Sequence, residues 1–161
     1  LELSGMLGIG EGSTRTIIAQ LQEKNLVEIV KKGCVLTEKG GKEFVALCER
    51  IDVKQVGPNR ASFNEPACGM LLKKAGMKIL NALRERDAAV RQGATGATVL
   101  LKEKKLVYAG TEKHVVDEET AQAIEEAFSP EEGDAIVLAY SREKPFAERG
   151  AWAAVLEIEG E

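Results

Sequence analysis

Histidine and cysteine are scarce in this sequence, and their scarcity argues against several classes of site. His114 is the only histidine among 161 residues, so neither a histidine-based catalytic triad nor a histidine-rich metal site is expected. The three cysteines, Cys34, Cys48 and Cys68, are odd in number and have no CxxC spacing, which predicts reduced thiols. No GxSxG motif marks an activated serine. We therefore predict no catalytic residue, metal or cofactor, and we do not expect an enzyme.

Long apolar segments are also lacking. No run approaches the roughly 18 apolar residues that a membrane-spanning helix needs, and the N-terminus shows no basic stretch followed by an apolar one. The composition, 44% hydrophobic and 30% charged, is typical of one or two small globular domains. We expect a cytoplasmic protein with no membrane partner.

Charge is distributed unevenly along the chain. Residues 1–50 hold seven Lys/Arg and seven Asp/Glu, whereas residues 51–161 hold fifteen and nineteen, so the net charge of −4 lies in the second part. A polyanion would therefore prefer the first part. Because that part is neutral overall, it would have to concentrate its cations on one face to bind nucleic acid.

The first fifty residues contain a helical pattern that breaks at a glycine and then resumes. Leu3 and Leu7 are spaced for a short helix, and Gly8 is placed for a left-handed C-terminal residue. The next helix, Gly12 to Lys24, has an apolar spacing that predicts a buried stripe, formed by Thr14, Ile17, Ile18 and Leu21. Its outward side chains offer hydrogen bonds and one arginine, the chemistry that reads base edges and phosphates. These are Ser13, Arg15, Thr16 and Gln20.

The segment LVEIV, KKG and CVLT predicts a hairpin with Lys31 and Lys32 at its tip. Together, LGIGEGSTRTIIAQLQEKNLVE and KKGCVLTEKG resemble the winged helix-turn-helix of prokaryotic transcriptional regulators over about residues 1–50. The resemblance implies that the helix from Gly12 is a recognition helix and that both lysines reach the adjacent backbone of double-stranded DNA. The family has one more helix before this pair, so we expect that helix to be missing and part of the core to be uncovered. Protein contact without DNA binding remains the alternative.

The second part alternates strands and helices, and we place the boundary near residues 50–52, giving domains 1–51 and 52–161. Strands are predicted at IDVKQVG, CGMLLK and GDAIVLAYS, a hairpin turns near residues 103–105, and a helix at VDEETAQAIEEAF is capped by Asp117. A longer helix over AGMKILNALRERDAAVRQG should bury Ile79, Leu80, Leu83 and Val90. KPFAERGAWAAVLEI could end as helix or strand. The mixture predicts an α+β fold, with a two-layer α+β domain after the winged helix.

RERDAAVRQGATGATVLL, the hairpin and GDAIVLAY, joined to this first domain, resemble an uncharacterised archaeal family of winged-helix proteins with an α+β C-terminal domain. The resemblance covers nearly the whole chain and implies a regulatory role, without a known ligand or reaction. It suggests a DNA-binding transcriptional regulator whose second domain senses a ligand, forms a homodimer, or both. A small-molecule-binding enzyme is the weaker alternative.

Residues 84–98 are the best candidates for a ligand site in the second domain. Gly93 and Gly96 follow a helix, which favours a helix cap and a close backbone approach over a phosphate-binding loop. Asp87 interrupts the apolar stripe, so it should pair with Arg84 or Arg91 on the same helix, or share an anionic effector site. The candidate ligand-binding residues are Arg84, Arg86, Asp87 and Arg91.

Overall fold

The computed structural model describes residues 2–110, 112 and 114–160. It shows a mixed α+β protein whose chain divides into two compact units, Leu1–Glu49 and Arg50–Glu161. Each unit has its own sheet, with two strands in the first and five in the second.

The first unit consists of short helices and one hairpin. Its elements, in chain order, are α1 (Glu2–Leu7), α2 (Glu11–Glu23), β1 (Val27–Val30), β2 (Gly33–Leu36) and α3 (Glu38–Arg50), whose last residue belongs to the second unit. The predicted left-handed residue after α1 is confirmed, because Gly8 has φ +62°. The predicted hairpin is also confirmed: β1 and β2 pair antiparallel.

Thr37 fixes the start of α3 against the end of the preceding helical segment. Its Oγ1 accepts a hydrogen bond from the Gly40 amide at 3.0 Å and donates one to the Asn25 carbonyl at 2.6 Å. Gly40 lies directly on the backbone of Leu26, where a Cβ would be 2.8 Å from the carbonyl carbon and would overlap the carbonyl oxygen. No larger residue fits at this position unless the backbone moves.

The apolar side chains of the first unit are largely exposed. The buried residues of its helices are Ser4, Thr14 and Gly40. The predicted buried stripe of α2 is therefore wrong at Ile17, which is 42% exposed. Helical spacing places residues on a common face, but no part of residues 2–49 covers this one. The large exposed hydrophobic residues are Leu3, Met6, Leu7, Ile17, Ile29, Val30, Val35, Leu36, Phe44 and Val45.

The second unit is built on one antiparallel sheet with strand order β3-β4-β7-β5-β6. Short 3-10 turns lie at Arg60–Ser62 and Gly76–Lys78. The longer elements are β3 (Ile51–Val56), β4 (Ala67–Leu72), α4 (Leu83–Arg91), β5 (Gly96–Lys102), β6 (Leu106–Tyr108), α5 (Glu118–Phe128), β7 (Ala135–Tyr140) and α6 (Lys144–Glu159).

Helices cover both faces of this sheet. Gly69 in β4 faces α5, because a Cβ there would lie 2.8 Å from Cζ of Phe128. Cys68 points to the opposite face, since side chains alternate along a strand. Its partner in β3, Gln55, donates from Nε2 to Oε1 of Glu148 in α6 at 3.1 Å. The prediction of a two-layer domain is therefore wrong: α5, the sheet, and α6 form three layers.

Small residues bring α4 and α6 close together. A Cβ on Gly150 of α6 would lie 2.7 Å from Cβ of Ala94 and 3.3 Å from the carbonyl oxygen of Ala89. Ala88 and Ala89 are buried on α4, at 5% and 0% exposure. The contact between α4 and α6 thus depends on close approach at small residues.

The predicted helix over residues 75–93 begins later than expected. Ala82 is left-handed, with φ +61°, so α4 starts only at Leu83. Of the predicted buried face, Ile79 is buried at 6% exposure, but the other three members are exposed: Leu80 at 84%, Leu83 at 55% and Val90 at 45%. The α4 residues that are buried are Glu85, Ala88 and Ala89.

Several other predictions for the second unit are confirmed. Lys102 pairs with Leu106, so the hairpin turns at residues 103–105. Asp117 is the N-cap of α5 and accepts from the Thr120 amide at 3.1 Å. The last stretch, left open between helix and strand, is helical to Glu159.

Strand β3 forms one edge of the sheet and carries charged side chains. Lys54 Nζ lies 2.9 Å from Oδ2 of Asp52 and 5.4 Å from the ring centroid of Phe128, and it donates to the carbonyl of Ala127. The lysine stem thus lies over the end of α5, and its charge stays at the strand edge.

Candidate functional site

The four polar side chains predicted to contact DNA are exposed on α2. Arg15 has a side-chain exposure of 74%, and its Nη2 lies 3.7 Å from Oε2 of Glu11 one turn earlier. Thr16 donates from Oγ1 to the carbonyl of Gly12 at 3.1 Å, which leaves its oxygen as an acceptor. Ser13 and Gln20 are exposed beside them. This face offers one cation and several hydrogen-bonding groups to a partner.

Lys31 and Lys32 are exposed in the turn between β1 and β2. Gly33 follows with φ +138° and starts β2. The hairpin therefore presents two adjacent ammonium groups at its tip. Such a pair can contact phosphate oxygens without reading a sequence.

The predicted ligand residues of α4 divide into two groups. Arg84 Nη2 lies 3.4 Å from Oε2 of Glu157, and Arg91 Nη2 lies 3.5 Å from its Oε1. Both recorded pairs reach α6, so Glu157 takes the place predicted for Asp87, which is exposed. Arg86 instead lines a cavity.

This cavity, termed the aromatic cavity below, has a volume of about 350 Å³ and is bounded by α4, β5 and the loop before β4. It lies beside Gly96–Val99, the part of β5 that precedes its pairing with β6. Among the described residues that line it, Arg86 is the one charged side chain. The defining side chains are Phe63, Arg86, Thr98, Tyr108 and Tyr140.

Gly96 allows the Tyr140 ring to lie across β5. The two residues are paired in the sheet, and a Cβ on Gly96 would lie 2.7 Å from Cζ of Tyr140 and overlap its hydroxyl oxygen. The close backbone approach predicted at Gly96 is thus confirmed. The predicted cap at Gly93 is confirmed as well, with φ +94° and an amide that donates to the Val90 carbonyl at 2.9 Å.

Phe63 is held at the cavity although its side chain is exposed. Asn59 and Ser62 form a capping box, after which Phe63 adopts the left-handed conformation with φ 50°. Its ring centroid lies 5.6 Å from that of Tyr140, with 40° between the planes. Thr98 Oγ1 donates to the Ala61 carbonyl at 2.6 Å and fixes the loop to β5. An aromatic residue rarely adopts φ above 0°, so the turn, not the side chain, sets this position.

Burial raises the pKa values of both tyrosine phenols above their ordinary value of 10.0. For Tyr140, a hydrogen bond with Thr98 and the positive charge of Arg86 partly offset that rise in pKa, while Glu65 adds to it. For Tyr108, the negative charge of Asp117 raises the pKa further and the positive charge of Arg60 lowers it. Both phenols are therefore neutral near pH 7 and can donate a hydrogen bond.

Residues 63–158 match the family model described as a domain of unknown function (DUF4443). The chain belongs to this family. All the side chains that define the aromatic cavity lie inside the matched range, and Phe63 is its first residue. The cavity is therefore a feature of the DUF4443 part of the chain.

The fold is also shared with a solved structure, the hypothetical protein PH0730 from Pyrococcus horikoshii OT3. The TM-score is 0.79 at 22% sequence identity, over 99% of this chain and 83% of that one. Both findings fit the resemblance to an uncharacterised archaeal family. No curated protein matches the chain.

In residues 2–110, 112 and 114–160, no group of three or more His, Cys, Asp or Glu side chains is placed to hold a metal ion. No helix in the same ranges combines the length and apolar character needed to cross a bilayer.

Of the side chains that define the aromatic cavity, the sequence singled out Arg86, and it also marked Gly96 on the cavity wall as a close backbone approach. Phe63 and Tyr140 were missed because one lies in a turn-rich loop and the other ends a buried strand, where an aromatic residue is ordinary. A usable signal was present: Gly96 lies among β-forming residues, and glycine within a strand often marks a close approach by another group.

Proposed function

We propose that this protein is a DNA-binding transcriptional regulator, with a winged helix-turn-helix in its first unit and a sensing or dimerising domain in its second. The observation that carries the proposal is the order of helix, tight turn, helix and hairpin in residues 2–36, with polar side chains exposed on α2. Both features agree with the resemblance to prokaryotic regulators.

In this proposal α2 enters the major groove. Arg15 is the side chain best suited to a guanine edge or a phosphate, because its guanidinium offers paired donors. Ser13, Thr16 and Gln20 add hydrogen bonds to bases or sugar oxygens. Lys31 and Lys32 contact the backbone beside the groove. Because operators of such proteins are commonly two-fold symmetric, we expect a homodimer to bind.

The exposed apolar residues of the first unit favour the alternative, a protein-interaction module. Ile29 is 64% exposed, Phe44 56% and Val45 57%. Exposed apolar surface of this extent commonly marks a site of protein contact. Such contact could accompany DNA binding through a dimer, or it could be the whole function of the unit.

Fluorescence anisotropy of the full chain with labelled genomic fragments, at two salt concentrations, separates the two functions. DNA binding should weaken as salt rises, because phosphate contacts release counterions. Failure to bind any duplex at the lower salt concentration would exclude the DNA-binding proposal and leave the interaction module.

Variants assign the roles of individual residues. Arg15→Ala should cost about 1–3 kcal/mol at the preferred site and relax sequence preference. The double variant Lys31→Ala, Lys32→Ala should weaken all duplexes alike and reduce the salt slope by roughly 2. Lys42→Ala, on α3 and paired with Glu38 at 2.7 Å, is the matched control. A sequence-specific effect from the hairpin pair, with none from Arg15, would contradict the assignment of α2.

A further inference from the structure

We propose that the aromatic cavity is a binding site for a small aromatic monocarboxylate. This deepens the sensing role proposed above and rests on it. Binding can nevertheless be measured in the absence of DNA, so the two proposals fail separately.

The size and the walls of the cavity favour a small, flat ligand. A volume of about 350 Å³ lies near the lower end for sites of small organic molecules. Phe63, Tyr108 and Tyr140 supply aromatic surface on its walls. Aromatic rings gain most from other rings in tilted or offset contact, the geometry already present between Phe63 and Tyr140.

Phe63 is the side chain with most to gain from a ligand. It is 73% exposed, yet the capping box, the left-handed turn and the Thr98 bond hold it in place. A ring that enters the cavity would cover this surface at little cost in ordering, because the turn is already formed. The structure thus presents a fixed aromatic wall at an open site.

The charge of the cavity favours one carboxylate. Arg86 is the one charged side chain among its described lining residues, and its guanidinium forms no ion pair or hydrogen bond with another described residue. A guanidinium binds a carboxylate through two parallel hydrogen bonds. One arginine balances a single negative charge, whereas a phosphate monoester carries nearly two near neutral pH. A neutral phenol on the cavity wall can donate a hydrogen bond without adding charge.

The start of α4 adds to the preference for an anion. Ala82 and Leu83 line the cavity; the N-cap residue Ala82 supplies no side-chain cap, although Oδ1 of Asn81 accepts a hydrogen bond from the Leu83 amide at 3.2 Å. The N-terminus of a helix carries a partial positive charge that stabilises a nearby carboxylate. This contribution supplements the arginine, which is the principal cation.

The test is a titration of the full, isotope-labelled chain with 2-naphthoate as the probe, followed by amide chemical shifts. We expect saturable shifts centred on residues 95–99 and Phe63. The neutral analogue 2-naphthamide should bind at least about tenfold more weakly, the effect of losing a charge-assisted hydrogen bond. Inorganic phosphate should not compete at equal concentration.

Two variants and one control make the test specific. Arg86→Gln should weaken 2-naphthoate binding at least about tenfold, and Phe63→Ala about three- to tenfold. Arg84→Gln removes the same charge from the same helical turn, but Arg84 pairs with Glu157 and does not line the cavity. Its affinity should stay within about twofold of the wild type, since exposed charges act weakly at a distance.

Three results would overturn the proposal. The first is the absence of saturable shifts at millimolar 2-naphthoate. The second is a loss of affinity that is the same in the Arg84 and Arg86 variants. The third is a set of shifts that maps outside the cavity. Because Phe63 and Arg86 are exposed, neither variant should impair folding, and the unperturbed amide spectrum of each verifies this directly.

Discussion

The two units of this protein differ most in what they bury. All the buried hydrophobic residues among the described ranges lie between Ile51 and Ile158, and twelve of them form one cluster that includes Leu100, Ile136 and Leu138. The helices of the first unit bury only Ser4, Thr14 and Gly40. Their apolar side chains are comparable in type, so composition does not explain the difference.

The difference shows that apolar periodicity and burial are separate properties. In the second unit a sheet with helices on both faces surrounds β4 and β7, every residue of which is buried. In the first unit the helices and hairpin present apolar faces that residues 2–49 do not enclose. The second unit therefore has the interactions needed for stability, while the first should gain stability from whatever covers its apolar surface.

The largest expected effect tests the core of the second unit. Leu138→Ala removes a side chain with 0% exposure and should reduce the free energy of unfolding by about 2–5 kcal/mol. The single tryptophan, Trp152, lies in α6, so its fluorescence in urea reports this unit. Ile29→Ala in β1, at 64% exposure, should change the opening free energy of its hairpin, measured by amide exchange, by less than about 0.5 kcal/mol. Equal losses would show that the first unit has a core of comparable strength.

The next effect concerns the tightest contact in the first unit. Gly40→Ala would place a methyl group on the Leu26 backbone and should destabilise residues 26–50 by about 1–3 kcal/mol. Gly41→Ala meets nothing within 4 Å and should stabilise α3 by roughly 0.5–1 kcal/mol. Amide exchange of α3 measures both variants. If Gly40→Ala left the amide exchange of α3 unchanged, the close contact between Gly40 and the Leu26 backbone would be incorrect.

Cysteine titration extends the comparison to alkaline pH. Burial raises the pKa of the Cys68 thiol from 9.0 to about 12, whereas Cys34 is half-buried and Cys48 exposed. Between pH 9 and 12 the unfolded state loses a proton from Cys68 that the native state keeps, so stability should fall by up to roughly 1.4 kcal/mol per pH unit.

The corresponding control is Cys68→Ala. It should remove the cysteine part of that pH dependence and leave a smaller fall in stability that comes from the two tyrosines. Thiol labelling of the native protein at pH 8 should modify Cys48 and Cys34 and spare Cys68. Rapid labelling of Cys68 would indicate that the sheet opens far more readily than its burial implies.

The smallest expected effect concerns the surface of α4 and α6. Glu157 pairs with both Arg84 and Arg91, so Glu157→Gln should cost up to about 1 kcal/mol, as is typical of exposed ion pairs. Asp87→Asn should change stability by less than about 0.5 kcal/mol. Thermal unfolding at low and high salt measures both, and a larger loss from Asp87→Asn would restore the pairing expected from the sequence.

Local signals in the sequence predicted local structure well. The cap at Asp117, the hairpin turn after Lys102 and the glycine ends at Gly8 and Gly93 depend on neighbouring residues, and the structure confirms all four. The start of α4 was missed because the left-handed Ala82 has no signature in its side chain.

Features that depend on distant parts of the chain were predicted poorly. Spacing placed Ile17 on a common face but could not show that nothing covers it. The contact between α4 and α6 depends on Gly150 and Ala89, which let the two backbones approach closely but bury little apolar area. The sequence identified Arg86 as a candidate cation. It could not predict the cavity around Arg86, because Phe63 and Tyr140 meet there from positions 77 residues apart.

The charged edge strand β3 has a consequence for aggregation. An unpaired edge can accept a strand from another molecule, and inward-turned or edge charges oppose such growth because joining would desolvate them. Asp52 and Lys54 occupy this edge as an ion pair, with the lysine laid over Phe128. Addition of a strand there would displace that pair, so the sheet is protected against open-ended extension during synthesis and at high concentration. Dimerisation by strand addition is consequently disfavoured at the β3 edge.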